Sequence, residues 1–515
     1  MKVEIFTAMN ETKYNLNTPF IKLERLLGNK SLPIKVCVLQ PDYSTSNINY
    51  QQYDPPRDLS ELIPEAIVDH VMLNKLTTYK QLKELKKKNY DIFVNLCEGY
   101  LEWEVPSIDV IYSLELLNLP FTGPSSLLYD PPKELMKYVA YVEGVKSPAY
   151  ALIEEEENLE KQIQHLSFPL FVKPAKAGDS LGIDDKSLVK NLDELKVKIH
   201  SIIDEYGTLL IEEYIDGREF TVMVTSNAGE AKGITSFKPI EYIFPDAAQF
   251  KTYALKTSEL HPNANISVTD EAIEKKLSAA AEQIFQSFNG VGYARLDFRM
   301  NAAGELFFLE INFTCSVFYK NGYEGSADYI LKNDGFGQAN FLRHIITEGI
   351  ARHQIKQKKY QIKGNSISGY GIYASRDIET NELIFKGEEM SQRIVTRKYV
   401  TENWEERDKE NFRRYAYPVS KEVFLLWDQD PAGWGPQNHS CNPNTVYKGL
   451  NVIASRKIFK EEELTLDYAS FLDENMEPFN CQCLANNCRG LITGITNNSV
   501  TERENQSTFK PPTIF

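Results

Sequence analysis

Between Asp270 and Asn289 the apolar residues Ile273, Leu277, Ala281, Ile284 and Phe288 recur at steps of three and four, which predicts an amphipathic helix with one buried stripe and Gly290 as its C-terminal stop. Upstream, short apolar runs (Ile34 to Leu39, Ile92 to Leu96) alternate with a helical pattern over Ser107 to Leu117, and the alternation predicts a βα unit. From Leu170 to about Phe313 strands again alternate with helices. Tyr293 to Met300 and Glu305 to Phe313, separated by Asn301-Ala-Ala-Gly304, read as two strands joined by a turn. From Ser366 to about Leu491 the pattern changes to short strands and turns, and the Asn-, Thr-, Ser- and Pro-rich end reads as a tail.

A chain of 515 residues with 42% hydrophobic and 25% charged residues has the composition of folded globular protein, and it is too long for one core. The net charge of −15 argues against a general affinity for nucleic acid or an anionic membrane, so any phosphate site must be local. There is no apolar run of about 18 residues, and Met1-Lys2-Val3-Glu4-Ile5-Phe6 lacks the pattern of a signal peptide. The expected location is cytoplasmic. Residues 351–365 carry lysines and an arginine without a single acid and are read as a basic linker, with a solvated helix face or edge strand as the alternative. Of the seven cysteines, Cys37, Cys97 and Cys315 are scattered among apolar neighbours, while Cys441, Cys481, Cys483 and Cys488 crowd one end, a spacing that suggests metal over disulfides in a reducing compartment.

Alternation along the predicted hairpin puts Arg295 and Asp297 on one face of the first strand and Glu310 and Asn312 on one face of the second. Register counted around the turn pairs Asp297 with Phe308 and Arg295 with Glu310, leaving Leu296, Phe298, Phe307, Leu309 and Ile311 for the core. Two carboxylates and an amide oxygen beside an arginine make an oxygen-rich site of the kind magnesium takes when it also binds polyphosphate; an exposed polar face with one salt bridge is the plainer reading. The strand Phe168 to Pro174 carries Lys173 and runs into Ala175-Lys-Ala-Gly-Asp-Ser-Leu-Gly182, whose small residues allow backbone N–H groups to close around phosphate. Leu209 to Ile215 is a strand ending in acids, followed by Asp216-Gly-Arg-Glu219.

In this order the elements resemble the ATP-grasp superfamily, most closely D-alanine–D-alanine ligase, over about residues 90–316. The resemblance implies that Lys137 and Lys173 hold ATP phosphates, with Ser180 in the phosphate lid and Lys256 as a further phosphate ligand. It makes Glu212, Glu213, Tyr214 and Ile215 the adenine hinge and Glu219 the ribose ligand. Asp297, Glu310 and Asn312 become Mg2+ ligands, and Arg295 the residue that stabilises the acyl-phosphate and tetrahedral intermediate. The chain departs from the ligase pattern after Asn312, where Cys315-Ser316 stands in place of a Pro-Gly pair, and at Leu96-Cys-Glu-Gly-Tyr100, which replaces a His-Gly segment.

At the other end, Ser368-Gly-Tyr-Gly-Ile-Tyr-Ala, Asn438-His-Ser-Cys441, Glu463-Leu-Thr-Leu-Asp-Tyr468 and Cys481-x-Cys483-x4-Cys488 follow one another across residues 366–490 and resemble a SET-domain protein methyltransferase with a post-SET zinc segment. The resemblance implies an S-adenosyl-L-methionine pocket formed by Gly369, Tyr370, Gly371 and Ile372 with Asn438 and His439. It makes Tyr468 the catalytic tyrosine, with Tyr417 as the candidate second one, and lysine the expected target. Four thiolates, Cys441, Cys481, Cys483 and Cys488, satisfy tetrahedral Zn2+; buried unligated thiols are the alternative.

The expected fold is α+β and multidomain, an N-terminal ATP-grasp α/β fold followed by a mostly-β SET domain with a post-SET zinc site. The expected divisions are 1–125 (pre-ATP-grasp), 126–350 (ATP-grasp), 351–365 (linker), 366–476 (SET), 477–492 (post-SET) and 493–515 (tail). The expected function is bifunctional, an ATP- and Mg-dependent carboxylate–amine ligase joined to a lysine N-methyltransferase. The alternative is a methyltransferase whose ATP-grasp half only binds nucleotide or substrate. Expected partners are amino-acid, peptide or small-protein substrates, neither nucleic acid nor membrane; the oligomeric state is open.

Overall fold

The structure, a computed structural model, describes residues 33–46, 54–101, 103–176, 181–227, 233–244, 250, 264–357, 359–388, 392–427, 437–472 and 478–494. The chain divides into two compact units, 1–356 and 357–515. Among the described residues no helix is long and apolar enough to cross a membrane.

The first unit begins with a parallel sheet in the order β2-β1-β3, formed by β1 (Lys35–Pro41), β2 (Ile67–Leu73) and β3 (Ile92–Asn95). Helices α1 (Thr78–Lys86) and α2 (Ile108–Leu116) pack on it through Leu82, Leu85, Val110, Ile111 and Leu114. After α3 (Lys133–Val142), an antiparallel sheet β4-β7-β5-β6 is built from β4 (Tyr150–Ile153), β5 (Leu170–Pro174), β6 (Leu188–Val189) and β7 (Leu209–Glu213), with α4 (Leu192–Tyr206) between the last two. A third sheet runs β11-β10-β8-β12-β13, with β9 (Ile234–Ser236) beside β8 (Arg218–Ser226). Its other strands are β10 (Ile240–Tyr242), β11 (Asn265–Ser267), β12 (Tyr293–Met300) and β13 (Leu306–Asn312).

Helix α5 (Glu271–Ser287) covers that sheet. Its stripe of Leu277, Ala281 and Ile284 packs against Phe220, Leu296 and Phe298, and the Asp270 side chain caps its first turn by accepting from the Ala272 and Ile273 N–H groups. The left-handed residue ending it is Asn289 (φ 51°), not Gly290. Gly290 is required for space: a Cβ there would stand 2.6 Å from the Phe285 ring.

Within the hairpin the register differs from the one counted on the turn. Arg295 pairs with Asn312 and Asp297 with Glu310, and a bulge falls between Asp297 and Phe298, which pairs with Phe308. The extra residue on β13 reverses the phase of the strand beyond it. Leu306 and Phe308 therefore face the core, and Phe307 and Leu309 are only half-buried. The four polar residues still share one face.

The basic run is likewise not a linker throughout. Helices α6 (Ser326–Asp334) and α7 (Gly337–Lys356) close the first unit, and α7 takes in the run's first six residues. Its latter part is β14 (Tyr360–Asn365), paired with β15 (Gly369–Ala374), the opening hairpin of the second unit.

The second unit is made of small sheets: β16 (Leu383–Phe385) with β22 (Asn451–Ala454) and β21 (Thr445–Lys448), and β17 (Gln392–Thr396) with β19 (Val423–Trp427) and β18 (Tyr417–Pro418). Helices α8 (Arg397–Asn403) and α9 (Glu406–Tyr415) lie between β17 and β18 in sequence. The parallel pair β20 (Asn438–His439) and β23 (Thr465–Leu466) brings two of the sequence motifs side by side. The antiparallel pair β24 (Phe479–Asn480) and β25 (Leu491–Ile492) brackets the last three cysteines.

Candidate active sites

In the first unit, the hairpin register sets the Asp297 and Glu310 carboxylates opposite each other on neighbouring strands. Like charges so placed repel. Basic groups offset part of the repulsion, since the Arg295 Nη2 donates to Asp297 at 3.3 Å and the Lys133 Nζ lies 3.8 Å from Glu310. Thr221 on β8 donates to Asp297 at 2.9 Å and Asn312 to Glu310 at 3.4 Å, so the pair is held from both sides. Two carboxylates and an amide on one ladder form a hard-oxygen donor set that fits a divalent cation.

In the sheet β4-β7-β5-β6, the pairing of β5 with β7 lets Lys173 reach Glu212, and Lys137 arrives from α3. Glu212 bridges both ammonium groups, at 2.7 Å to Lys137 and 2.6 Å to Lys173. All three side chains are buried. Burial opposes the charge on Glu212, but the two lysines outweigh it and hold the carboxyl down at about 2. Burial outweighs Glu212's pull on Lys137 and leaves that amine below an ordinary lysine. The hinge residue and the two phosphate lysines inferred from the sequence thus form one cluster. Glu213 donates its N–H to the Ala149 carbonyl and Tyr214 to that of Pro169, which fixes the strand's exit toward Ile215. Ser180 and Lys256 lie outside the described residues.

Glu219, expected at the ribose, is buried against Arg299, a residue the sequence reading passed over. Arg299 sits four positions after Arg295 on β12, so the alternation that singled out Arg295 and Asp297 already placed it on their face. Nothing in its spacing indicated the partner on β8.

In the second unit, the Tyr468 hydroxyl donates to the Gln437 carbonyl at 2.5 Å, and its backbone N–H donates to His439 Nδ1 at 3.1 Å. Burial pushes the Tyr468 phenol well above its ordinary value and keeps His439 below its own. With Nδ1 accepting, the neutral ring carries its proton on Nε2, 3.4 Å from Cys441 Sγ. Asn438 donates to the Tyr370 carbonyl (2.7 Å) and to Glu463 (2.8 Å), which ties β20 to the glycine strand β15. A Cβ on Gly371 would fall 2.3 Å from Glu463 Oε1, so glycine there is a condition of that contact. Gly369 takes φ 84°, and Ile372 is buried, its carbonyl accepting from Leu464.

Tyr417 stands one ring away from Tyr468. Phe471 separates them, its centroid 5.8 Å from Tyr468 and 6.0 Å from Tyr417, and Tyr447 lies 5.0 Å from both Phe471 and Tyr417. Trp427 stands 6.0 Å from Tyr417. Trp427, Tyr447 and Phe471 come from three separate segments, and no sequence spacing announced the cluster.

The four clustered cysteines converge, with their sulfurs all within 4.8 Å of one another. Backbone N–H groups of Cys441, Cys483 and Arg489 point at the sulfurs of Cys483, Cys481 and Cys441 in turn. Against burial, the N–H groups of Cys441 and Ala485 draw the Cys483 thiol down to about 6. Four converging sulfurs with amide donors around them fit a soft tetrahedral cation.

Residues 139–318 match the family described as D-ala D-ala ligase C-terminus, and residues 369–469 match the SET domain. The D-alanine–D-alanine ligase of Aquifex aeolicus is 28% identical over 202 residues, 39% of this chain and 64% of that protein. The Dechloromonas aromatica ligase is 29% identical over 204 residues, again 39% of this chain and 64% of that protein. The matched stretch spans less than two thirds of these relatives. Among solved structures, the Bacillus anthracis D-alanine–D-alanine ligase complexed with ATP covers 63% of this chain and 100% of its own, at 17% identity and a TM-score of 0.46. The VanG D-Ala:D-Ser ligase of Enterococcus faecalis covers 62% and 99%, at 19% identity and a TM-score of 0.47. The chain therefore carries, in order, a segment matched by the D-ala D-ala ligase C-terminus family and a segment matched by the SET domain.

Proposed function

We propose that the protein is a two-site enzyme: its second unit transfers a methyl group from S-adenosyl-L-methionine to an amine, and its first is an ATP- and magnesium-dependent carboxylate–amine ligase. The observation that carries the methyl-transfer reading is the Tyr468 hydroxyl fixed on the Gln437 carbonyl beside the aromatic cluster of Phe471, Tyr447 and Tyr417. Transfer to nitrogen is an in-line displacement, so the site must hold a neutral amine, exclude water and leave one oriented polar atom near the methyl. Tyr468 supplies that atom, and the surrounding rings exclude water. Gly369 to Ile372, Asn438 and His439 would hold the methyl donor, which brings the electrophilic carbon. The four cysteines would hold zinc, and the Arg489 contact to Asp467 would join that segment to the loop bearing Tyr468.

In the first unit Lys137 and Lys173 would hold phosphate oxygens and Asp297, Glu310 and Asn312 a magnesium ion, which neutralises charge on the transferred phosphoryl group. Arg295 would donate to an acyl-phosphate oxygen. The acceptor is an amino acid, peptide or small protein. A second reading, in which this unit binds nucleotide without turnover, is favoured by one contact: Ser316, at the position of the ligase pattern's Pro-Gly, donates to Glu98 at 2.6 Å. Incubation with ATP, magnesium and amino acids separates the two, because acceptor-dependent ADP release supports ligation and tight binding without ADP supports the second reading. Labelled methyl transfer to peptides, abolished in Tyr468→Phe, supports the methyltransferase; full activity in that variant removes Tyr468 from the mechanism.

A further inference from the structure

Arg299 takes no part in the phosphate or metal chemistry above, yet its side chain is only 4% exposed and its guanidinium is fully engaged. Nε and Nη2 both reach Glu219 Oε2 at 3.1 Å, and Nη1 donates to the Ile215 carbonyl at 2.9 Å. The guanidinium lies over the Tyr214 ring at 4.7 Å and near Phe244 at 5.6 Å. Removing a cation from water is costly, and an apolar residue would pack the same space without that cost. The donors go to two particular residues, the end of the hinge and the acid downstream of it. A carboxylate buried on that wall needs a counter-charge, and Arg299 both supplies it and aims the group. An ionised, fixed carboxylate accepts strongly from a hydroxyl and is left unfilled by a sugar that lacks one.

Resting on the nucleotide reading of the first unit, we propose that Arg299 is the positioning residue for sugar selectivity. By holding Glu219, it makes the site choose a ribonucleoside triphosphate over its deoxy counterparts. The same clamp keeps the Ile215 end of the hinge at a fixed distance from Glu219, so base and sugar are read together. Arg299→Lys keeps the charge and loses the fork that spans both partners; Arg299→Met loses both.

The test is titration of the full chain with ATP, 2′-deoxy-ATP, 3′-deoxy-ATP and inorganic tripolyphosphate, each with magnesium, for the parent and the two variants. The parent should bind at least one deoxy analogue about tenfold more weakly than ATP, as expected for a lost charge-assisted hydrogen bond. In Arg299→Met the ratio should fall to within about twofold, with Arg299→Lys between, while tripolyphosphate binding stays at the parent level. A parent that binds ATP without discrimination, or a Met variant that keeps it, overturns the role of Arg299 and leaves the nucleotide site standing. Loss of tripolyphosphate binding together with a lowered melting temperature makes Arg299 a structural staple and also overturns the proposal. A parent that binds no nucleotide overturns both.

Discussion

Replacing Glu212 with glutamine keeps the side chain's shape and removes the charge that two buried lysines share. The Lys137 and Lys173 side chains are 2% and 8% exposed, so water cannot replace the lost partner. Two routes give the cost. The two lysines hold the Glu212 carboxyl at about 2 against an ordinary 4.5, a difference worth about 3 kcal/mol. Removing one partner of a buried ion pair independently costs about 3–5 kcal/mol. Because the folded carboxyl lies below the unfolded one, this stabilisation is complete above the unfolded value and is lost as pH falls toward the folded one. Urea denaturation of parent and Glu212→Gln, following the transition of the first unit, should show a loss of about 3 kcal/mol at pH 7. The difference should shrink steadily below the unfolded carboxyl's value. ATP with magnesium should stabilise the variant relatively more than the parent, because phosphate oxygens offer the lysines the charge they lack. A loss under about 1 kcal/mol, or a difference unchanged between pH 7 and pH 3, would refute the buried cluster.

Gly371→Ala should weaken methyl-donor binding by tenfold or more, measured by calorimetry, since the new Cβ would meet Glu463 and break its bond to Asn438; unchanged affinity would detach that strand from the pocket. Cys481→Ser, or chelation, should release one zinc per chain by metal analysis and abolish methyl transfer, and retained activity in metal-free protein would limit the cysteines to a passive role. Glu382 is held at about 2 against burial by Arg376 and Lys359, so the second unit should lose stability as pH falls below the ordinary glutamate range. Glu382→Gln should flatten that acid limb in a thermal melt.

Much of the carboxylate face could be read from alternation, because period two places Arg295 with Asp297 and Glu310 with Asn312, and the counted register differs from the true one there by two residues, a shift that keeps both pairs on one face. The register itself could not be read, since one bulged residue at the Asp297–Phe298 step shifts every pair beyond it and leaves no mark in composition. The basic run has a similar lesson: charge told of exposure, but helix α7 and strand β14 both offer exposed faces to a lysine. Asn289 took the left-handed turn assigned to Gly290, because asparagine tolerates that conformation and the glycine was needed for a ring. In the second unit, the pairing of Asn438 with Thr465 and the gathering of four sulfurs follow motifs adjacent in order. The aromatic cluster of Trp427, Tyr447 and Phe471 is made by tertiary folding from segments that share no local pattern. Arg299 was on the visible face and was missed for want of its partner on another strand.

Isothermal titration of the zinc-replete 515-residue chain with ATP–magnesium and with S-adenosyl-L-methionine, singly and in sequence, asks whether one chain carries two separate cofactor sites. Two separate sites should take up one equivalent of each, with either ligand binding in the presence of the other. Uptake of neither ligand, or competition of both for a single site, would contradict it.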